Sequence, residues 1–209
     1  IVYGPRQAGK TTLVNSVVSE LSNYRTTSFL GDDIYTQKIF SNNELESLKR
    51  IVGDKNLIVI DEAQRIENIG LTLKLLIDNL PIQIIVSGSS SFDLSNKINE
   101  PLTGRTTTFW LYPLTYHELI EKYRGTSPTL SMEEMLRFGM FPKIHTLVSD
   151  EEKQDYLYEY INNYLSKDIL MFENVRKPKK VFDLLTLLAL QIGKEVSIAE
   201  LAQNLAMNQ

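Results

Sequence analysis

The chain has 209 residues, no cysteine and a formal net charge of −4, with 43% hydrophobic and 23% charged residues. That length holds one domain or a larger one with a small appendage, and the balance is that of an ordinary globular protein. Without cysteine there is no disulfide and no thiolate metal site, which fits the reducing cytoplasm expected here; the charge offers no global pull toward nucleic acid; and no apolar run approaches the ~20 residues that span a bilayer.

In chain order, the first half alternates apolar β-like runs with helical patterns, the signature of a parallel sheet. Strands are expected at residues 1–3, 26–30, 57–60, 82–86 and 107–111. Leu57-Ile58-Val59-Ile60 and Ile82-Gln83-Ile84-Ile85-Val86 are nearly continuous aliphatic runs, as strands covered on both faces require. Leu13, Val14, Val17, Val18 and Leu21 share one helical face, and Leu45, Leu48, Ile51 and Val52 share another. After Pro113 the pattern is helical only. Thr115 with Glu118, Ser131 with Glu134 and Ser197 with Glu200 have capping-box spacing. Between residues 150 and 172, Tyr156, Leu157, Tyr160, Ile161, Tyr164 and Leu165 recur at helical intervals and read as a packing stripe. The basic stretch 176–180 contains Pro178 and leads into a helix over 181–192 that Gly193 ends. Both termini look cut, with little strand before the first loop and no stop signal after Ala206, so a longer parent protein is expected. No signal or transit peptide is visible.

Three motifs carry chemistry. Gly4-Pro5-Arg6-Gln7-Ala8-Gly9-Lys10-Thr11 satisfies G-x-x-x-x-G-K-[ST], the phosphate-binding loop, between a strand stub and an amphipathic helix. The glycines permit turns that aim successive N–H groups at phosphate oxygens, and the helix that follows, through Thr12, adds its positive end. Lys10 supplies a charge for the β- and γ-phosphates, and the Thr11 hydroxyl can ligate Mg²⁺. Asp61-Glu62 ends an aliphatic strand at the edge where open α/β sheets bind ligands. Asp61 is expected to hold the Mg²⁺ shell and Glu62 to act on an attacking water, which favours hydrolysis. Ser87-Gly88-Ser89-Ser90-Ser91 follows the fourth strand, and Ser89 is selected as the hydroxyl that senses the γ-phosphate. His117 and His145 are isolated in the sequence and support neither a metal site nor a triad.

The segments GPRQAGKTTL, SFLGDD, LIVIDEAQRI, IIVSGSSSFDL and PLTGRTTTFWLYPLTYHEL, in this order, resemble a family of bacterial and archaeal AAA-type P-loop ATPases. In that family the core is followed by a winged-helix-like segment and a C-terminal domain of unknown function. The resemblance is specific from Gly4 to Leu119. Gly139-Met140-Phe141-Pro142-Lys143 stands where the family has Gly-Gly-aromatic-Pro-Glu, departing at Met140 and Lys143. Residues 164–169, 187–193 and 196–205 also match. The resemblance implies an α/β three-layer fold with parallel strand order 5-1-4-3-2, ATP as the nucleotide, and Arg105 as a catalytic, phosphate-contacting arginine. It also implies that the family's C-terminal domain is absent. Asp32 and Asp33 match a family motif without a chemical role beyond shaping the nucleotide edge.

The resulting expectation is a P-loop core over residues 1–112, a helical extension over 113–175 and the start of a winged-helix-like unit over 176–209. The function expected is Mg²⁺-dependent ATP hydrolysis coupled to an unknown protein partner, with oligomerisation left open. A nucleotide-gated DNA-binding switch is the alternative, disfavoured because the second helix of the helix-turn-helix start carries no lysine or arginine. A GTPase is set aside because Asn96-Lys97-Ile98-Asn99 lacks the final aspartate of the guanine signature.

Overall fold

Aliphatic runs bounded by polar turns set the strands of a five-stranded sheet in the computed structural model, which describes residues 1–89, 102–123, 132–165 and 178–206. The strands are β1 (Val2–Tyr3), β2 (Thr26–Leu30), β3 (Leu57–Asp61), β4 (Gln83–Gly88) and β5 (Phe109–Trp110). All pairings are parallel, in the order β2-β3-β4-β1-β5, which is the expected order read from the other edge. The register aligns the carboxyl ends, with Leu30 beside Asp61, Ile60 beside Val86, and Tyr3 between Gly88 and Trp110. Every loop that follows a strand therefore opens at one edge of the sheet. Two strands run further than expected: β3 includes Asp61, and β4 includes Ser87 and Gly88.

The helices are α1 (Lys10–Glu20), α2 (Ile34–Ser41), α3 (Leu45–Val52), α4 (Ile69–Asn79), α5 (Tyr116–Tyr123), α6 (Met132–Phe138), α7 (Asp150–Tyr160), α8 (Pro178–Leu190) and α9 (Ile198–Asn204). The described residues form two units, Ile1–Thr146 and Leu147–Gln209. The segment after Pro113 belongs with the first of these as far as Thr146, and its Leu114 N–H donates to the Met140 carbonyl at 2.9 Å.

The core of the first unit joins Ile58 and Ile60 of β3 with Ile69, Leu73 and Leu76 of α4, Phe40 of α2 and Leu48 of α3. Each such side chain contributes roughly 1.5–3 kcal/mol by leaving water. Like α4, helix α2 has no counterpart in the sequence-based expectations. Its N-cap is Asp33, whose carboxylate accepts from the Thr36 N–H at 2.8 Å, and this bond holds the Asp33 carboxyl below the usual range. The apolar face expected on α1 is only partly covered: Val14 is buried, whereas Leu13 and Val17 are exposed and line an apolar cavity of about 520 Å³.

In the second unit, Ser149 and Glu152 form a reciprocal capping box at the start of α7, a signal of the same S-x-x-E type that the expectations used elsewhere. Residues Ile161–Leu165 continue α7 as a π-helical turn. Pro178 opens α8, where its missing N–H costs nothing, and Ser197 caps α9. Lys180 donates to the Leu205 and Ala206 carbonyls at 2.6 and 2.9 Å, satisfying the end of α9. Among the described residues Thr115 and Glu118 do form their box. Ser90, Ser91, residues 96–99, Ser131, residues 166–169 and Arg176 lie outside the described residues. No described helix is long and apolar enough to cross a membrane.

Candidate nucleotide-binding site

The loop between β1 and α1 is shaped by two positive-φ residues, Gln7 at 62° and Gly9 at 99°. Gly9 is the N-cap of α1, without a side-chain cap bond, and the first intrahelical bond runs from Leu13 N–H to the Gly9 carbonyl at 2.9 Å. The N–H groups at the start of the helix, from Gly9 through Thr12, thus have no carbonyl within the helix and form an anion cradle. Gly4 serves a different purpose from the turn expected of it. A Cβ there would lie 2.2 Å from the Leu111 carbonyl oxygen, so glycine is needed for the close approach of β1 to the segment after β5.

Lys10 is buried, and its ammonium donates to the Gly4 and Pro5 carbonyls, each at 3.0 Å, leaving a third donor. Burial pushes the Lys10 ammonium down; the Glu62 and Asp61 carboxylates push it up, Glu62 more strongly. The P-loop lysine and both carboxylates therefore share one electrostatic neighbourhood.

Asp61 is the centre of the polar arrangement. Thr11 Oγ1 donates to its Oδ2 at 2.5 Å, while the Ser87 hydroxyl and the Glu62 N–H, the latter at 3.0 Å, donate to its Oδ1. A small cavity of about 190 Å³ lies beside this pair, lined by Thr11, Asn15, Ser28, Leu30 and Asp61 among others. A hydroxyl and a carboxylate oxygen in contact fit a hard cation such as Mg²⁺, which takes few protein oxygens and completes its shell with water and phosphate. Among the described residues no cluster of three or more His, Cys, Asp or Glu side chains could form a closed metal cage.

Glu62 follows directly, in the left-handed region at φ 52°, and its carboxylate accepts from Gln64 Nε2 at 2.5 Å. Gly31, after β2, donates its N–H to the Asp61 carbonyl at 2.7 Å, and its own carbonyl accepts from Gln37 at 2.7 Å. Asp32 pairs with Arg65 at 3.2 Å. The two acidic residues after β2 thus hold the neighbouring segments, Asp33 through a helix cap and Asp32 through an ion pair.

The structure brings together Gly4 to Thr12, Asp61 and Glu62. Within the serine run, Ser87 makes the bond to Asp61; Ser89 lies one residue beyond β4 and is buried. Arg105 stands apart. It precedes β5, at the edge where the strands begin, and pairs with Asp78 in the last turn of α4. Pro142, in the turn after α6, comes close to the loop: its Cγ would lie 3.9 Å from a Cβ on Gly9. Ser87, Gly31 and Gln64 are the contributors that sequence reasoning missed.

A parallel sheet with a glycine-rich cradle between its first strand and helix, and an acidic pair at the tip of β3, defines a P-loop nucleotide-binding fold. The AAA domain family matches residues 1–120, more than half of the sequence, and the chain belongs to that family. A second family, described as a domain of unknown function (DUF8612), matches residues 129–209. Relatives include the uncharacterized protein MJ1544 of Methanocaldococcus jannaschii, 26% identical across 97% of this chain and 48% of its own length. The uncharacterized protein Rv2008c of Mycobacterium tuberculosis is 30% identical across 100% of this chain and 44% of its own length. The chain thus spans about half the length of these relatives. Among solved structures, a DNA replication initiation factor superposes with a TM-score of 0.42 at 15% identity, covering 100% of this chain and 77% of that one. That likeness is too distant to bear on function.

Proposed function

We propose that the chain binds ATP with Mg²⁺ on the P-loop and hydrolyses it, coupling nucleotide state to a protein partner. The observation that carries this reading is the joining of Thr11 and Asp61 at 2.5 Å, beside a helix start whose N–H groups lack intrahelical partners. Gly4 to Thr12 supply backbone donors to the phosphates, and Lys10 exchanges its loop carbonyls for phosphate oxygens. Thr11 and Asp61 would hold the cation, and the cation would neutralise developing charge on the phosphates. Glu62 takes the proton of the attacking water. The assignment of ATP over GTP rests on the family resemblance and on the incomplete guanine signature.

The test is ligand-linked melting together with turnover. Mg-ATP should raise the melting temperature, GTP much less, because stabilisation follows the logarithm of ligand concentration over its dissociation constant. Lys10→Ala should lose the shift, whereas Glu62→Gln should keep it and lose hydrolysis. Equal shifts with GTP would remove the ATP assignment, and full turnover by Glu62→Gln would remove the water-activating role.

Arg105 enters this reading only through a second chain, since on its own chain it lies at the far edge of the sheet paired with Asp78. Such an arginine, supplied by a neighbour, is worth about 10³–10⁵ in rate where it operates.

A further inference from the structure

We infer that Gln64 is a positioning residue for hydrolysis, fixing the Glu62 carboxylate for its action on water. This rests on the assignment of Glu62 as the group that activates water.

The turn that carries Gln64 is held on all sides. Ala63 and Ile66 are fully buried in the core, Arg65 N–H donates to the Glu62 carbonyl at 3.1 Å, and the Arg65 side chain pairs with Asp32. Upstream, the Asp61 carbonyl is bonded by Gly31 and the Glu62 N–H by the Asp61 carboxylate. The backbone of Glu62 is therefore set, but its side chain has three rotatable bonds and would sweep a wide arc without a further constraint. Gln64 Nε2, donating to Glu62 Oε2 at 2.5 Å, supplies it. The orientation of the amide follows from chemistry, since a carboxylate only accepts and so must face the NH₂ group.

A second observation separates this from packing. Gln64 Oε1 is buried and meets no hydrogen-bond partner among the described residues. An amide that only filled volume would gain by turning that oxygen to water, because an unmet buried acceptor is unfavourable. The side chain keeps its inward pose through the charge-assisted bond to Glu62.

The experiment is a double-mutant cycle in single-turnover hydrolysis, using Gln64→Leu, Glu62→Gln and the pair, with Mg-ATP affinity measured alongside. Gln64→Glu serves as a second variant of nearly the same shape that lacks the donor at neutral pH. Gln64→Leu and Gln64→Glu should each lower kcat by about 10–100-fold, the scale of a misplaced reacting group, with ATP affinity changed by less than about twofold. In the Glu62→Gln background Gln64→Leu should add nothing, because its effect runs through that carboxylate. Wild-type or faster turnover by Gln64→Leu, or an equal loss in both backgrounds, would overturn the inference while leaving Glu62 in place. Full turnover by Glu62→Gln would instead overturn the underlying assignment.

Discussion

Gly31→Ala isolates the contact that aims the acidic pair. Gly31 is not among the residues with positive φ, so alanine meets no backbone strain there. The obstacle is steric: the added Cβ would lie 2.2 Å from the Glu62 carbonyl oxygen and 2.8 Å from its carbon. Ordinary contact begins at 3.4 Å, so one segment must retreat by about 1.2 Å, and both partners are backbone. That movement breaks the Gly31–Asp61 hydrogen bond, at about 1 kcal/mol, and adds overpacking strain of about 1–3 kcal/mol. The sum, about 2–4 kcal/mol, lowers the melting temperature by about 5–15 °C for a unit of this size. A shift of about 1 Å at the Glu62 carboxylate, in the role proposed for it, should cost about 100-fold in turnover. The assay pairs thermal melting with ATP hydrolysis and nucleotide affinity. Gly53→Ala is the control: at φ 56°, with its nearest obstacle 3.9 Å away, it meets backbone strain without a clash and should leave turnover intact. Wild-type melting and turnover in Gly31→Ala would refute the steric account.

Ser87→Ala removes one of the two side-chain hydroxyls that bond Asp61 and should weaken Mg²⁺-dependent nucleotide binding by about 10–100-fold, measured by magnesium titration at fixed ATP. Leu76→Ala, at a fully buried α4 position, should cost about 2–5 kcal/mol in denaturant unfolding of the first unit. Ser149→Ala breaks the capping box of α7 and should cost about 1 kcal/mol, read by hydrogen exchange across α7. Arg105→Ala mixed with Glu62→Gln should recover part of the hydrolysis that each lacks alone, if mixed assemblies form; assembly without rescue would confine Arg105 to its pairing with Asp78.

The central strand β3 was legible because a strand covered on both faces demands a continuous aliphatic run, which Leu57 to Ile60 supplies. The P-loop was legible because phosphate binding fixes residue types at fixed spacing. Ser87 was harder: the run of serines looks like a loop, and only pairing with Val2 reveals that β4 continues through Ser87. Gly31 and Gln64 act through contacts across strands or turns, for which the chain carries no local pattern. Asp33 precedes a helix too short and too exposed, at Ile34 and Tyr35, to announce itself by periodicity. The α1 face shows the converse, an apolar stripe whose periodicity is clear while Leu13 and Val17 stay partly open.

The position of β1 in the sheet has a consequence for how the chain folds. Its neighbours are β4 and β5, so Val2 and Tyr3 wait for Ser87 and Gly88 on one side and Phe109 and Trp110 on the other. Local helices can form early, but the strand that carries the phosphate loop closes a contact across roughly 110 residues, among the slower events in a chain of this kind. At a synthesis rate of about 5–20 residues per second, the loop emerges from the ribosome about 5–20 seconds before its last neighbouring strand does. The strand that carries the loop therefore gains its last neighbour only when Phe109 and Trp110 are available, and a chain arrested before Phe109 should bind nucleotide more weakly than the complete sheet.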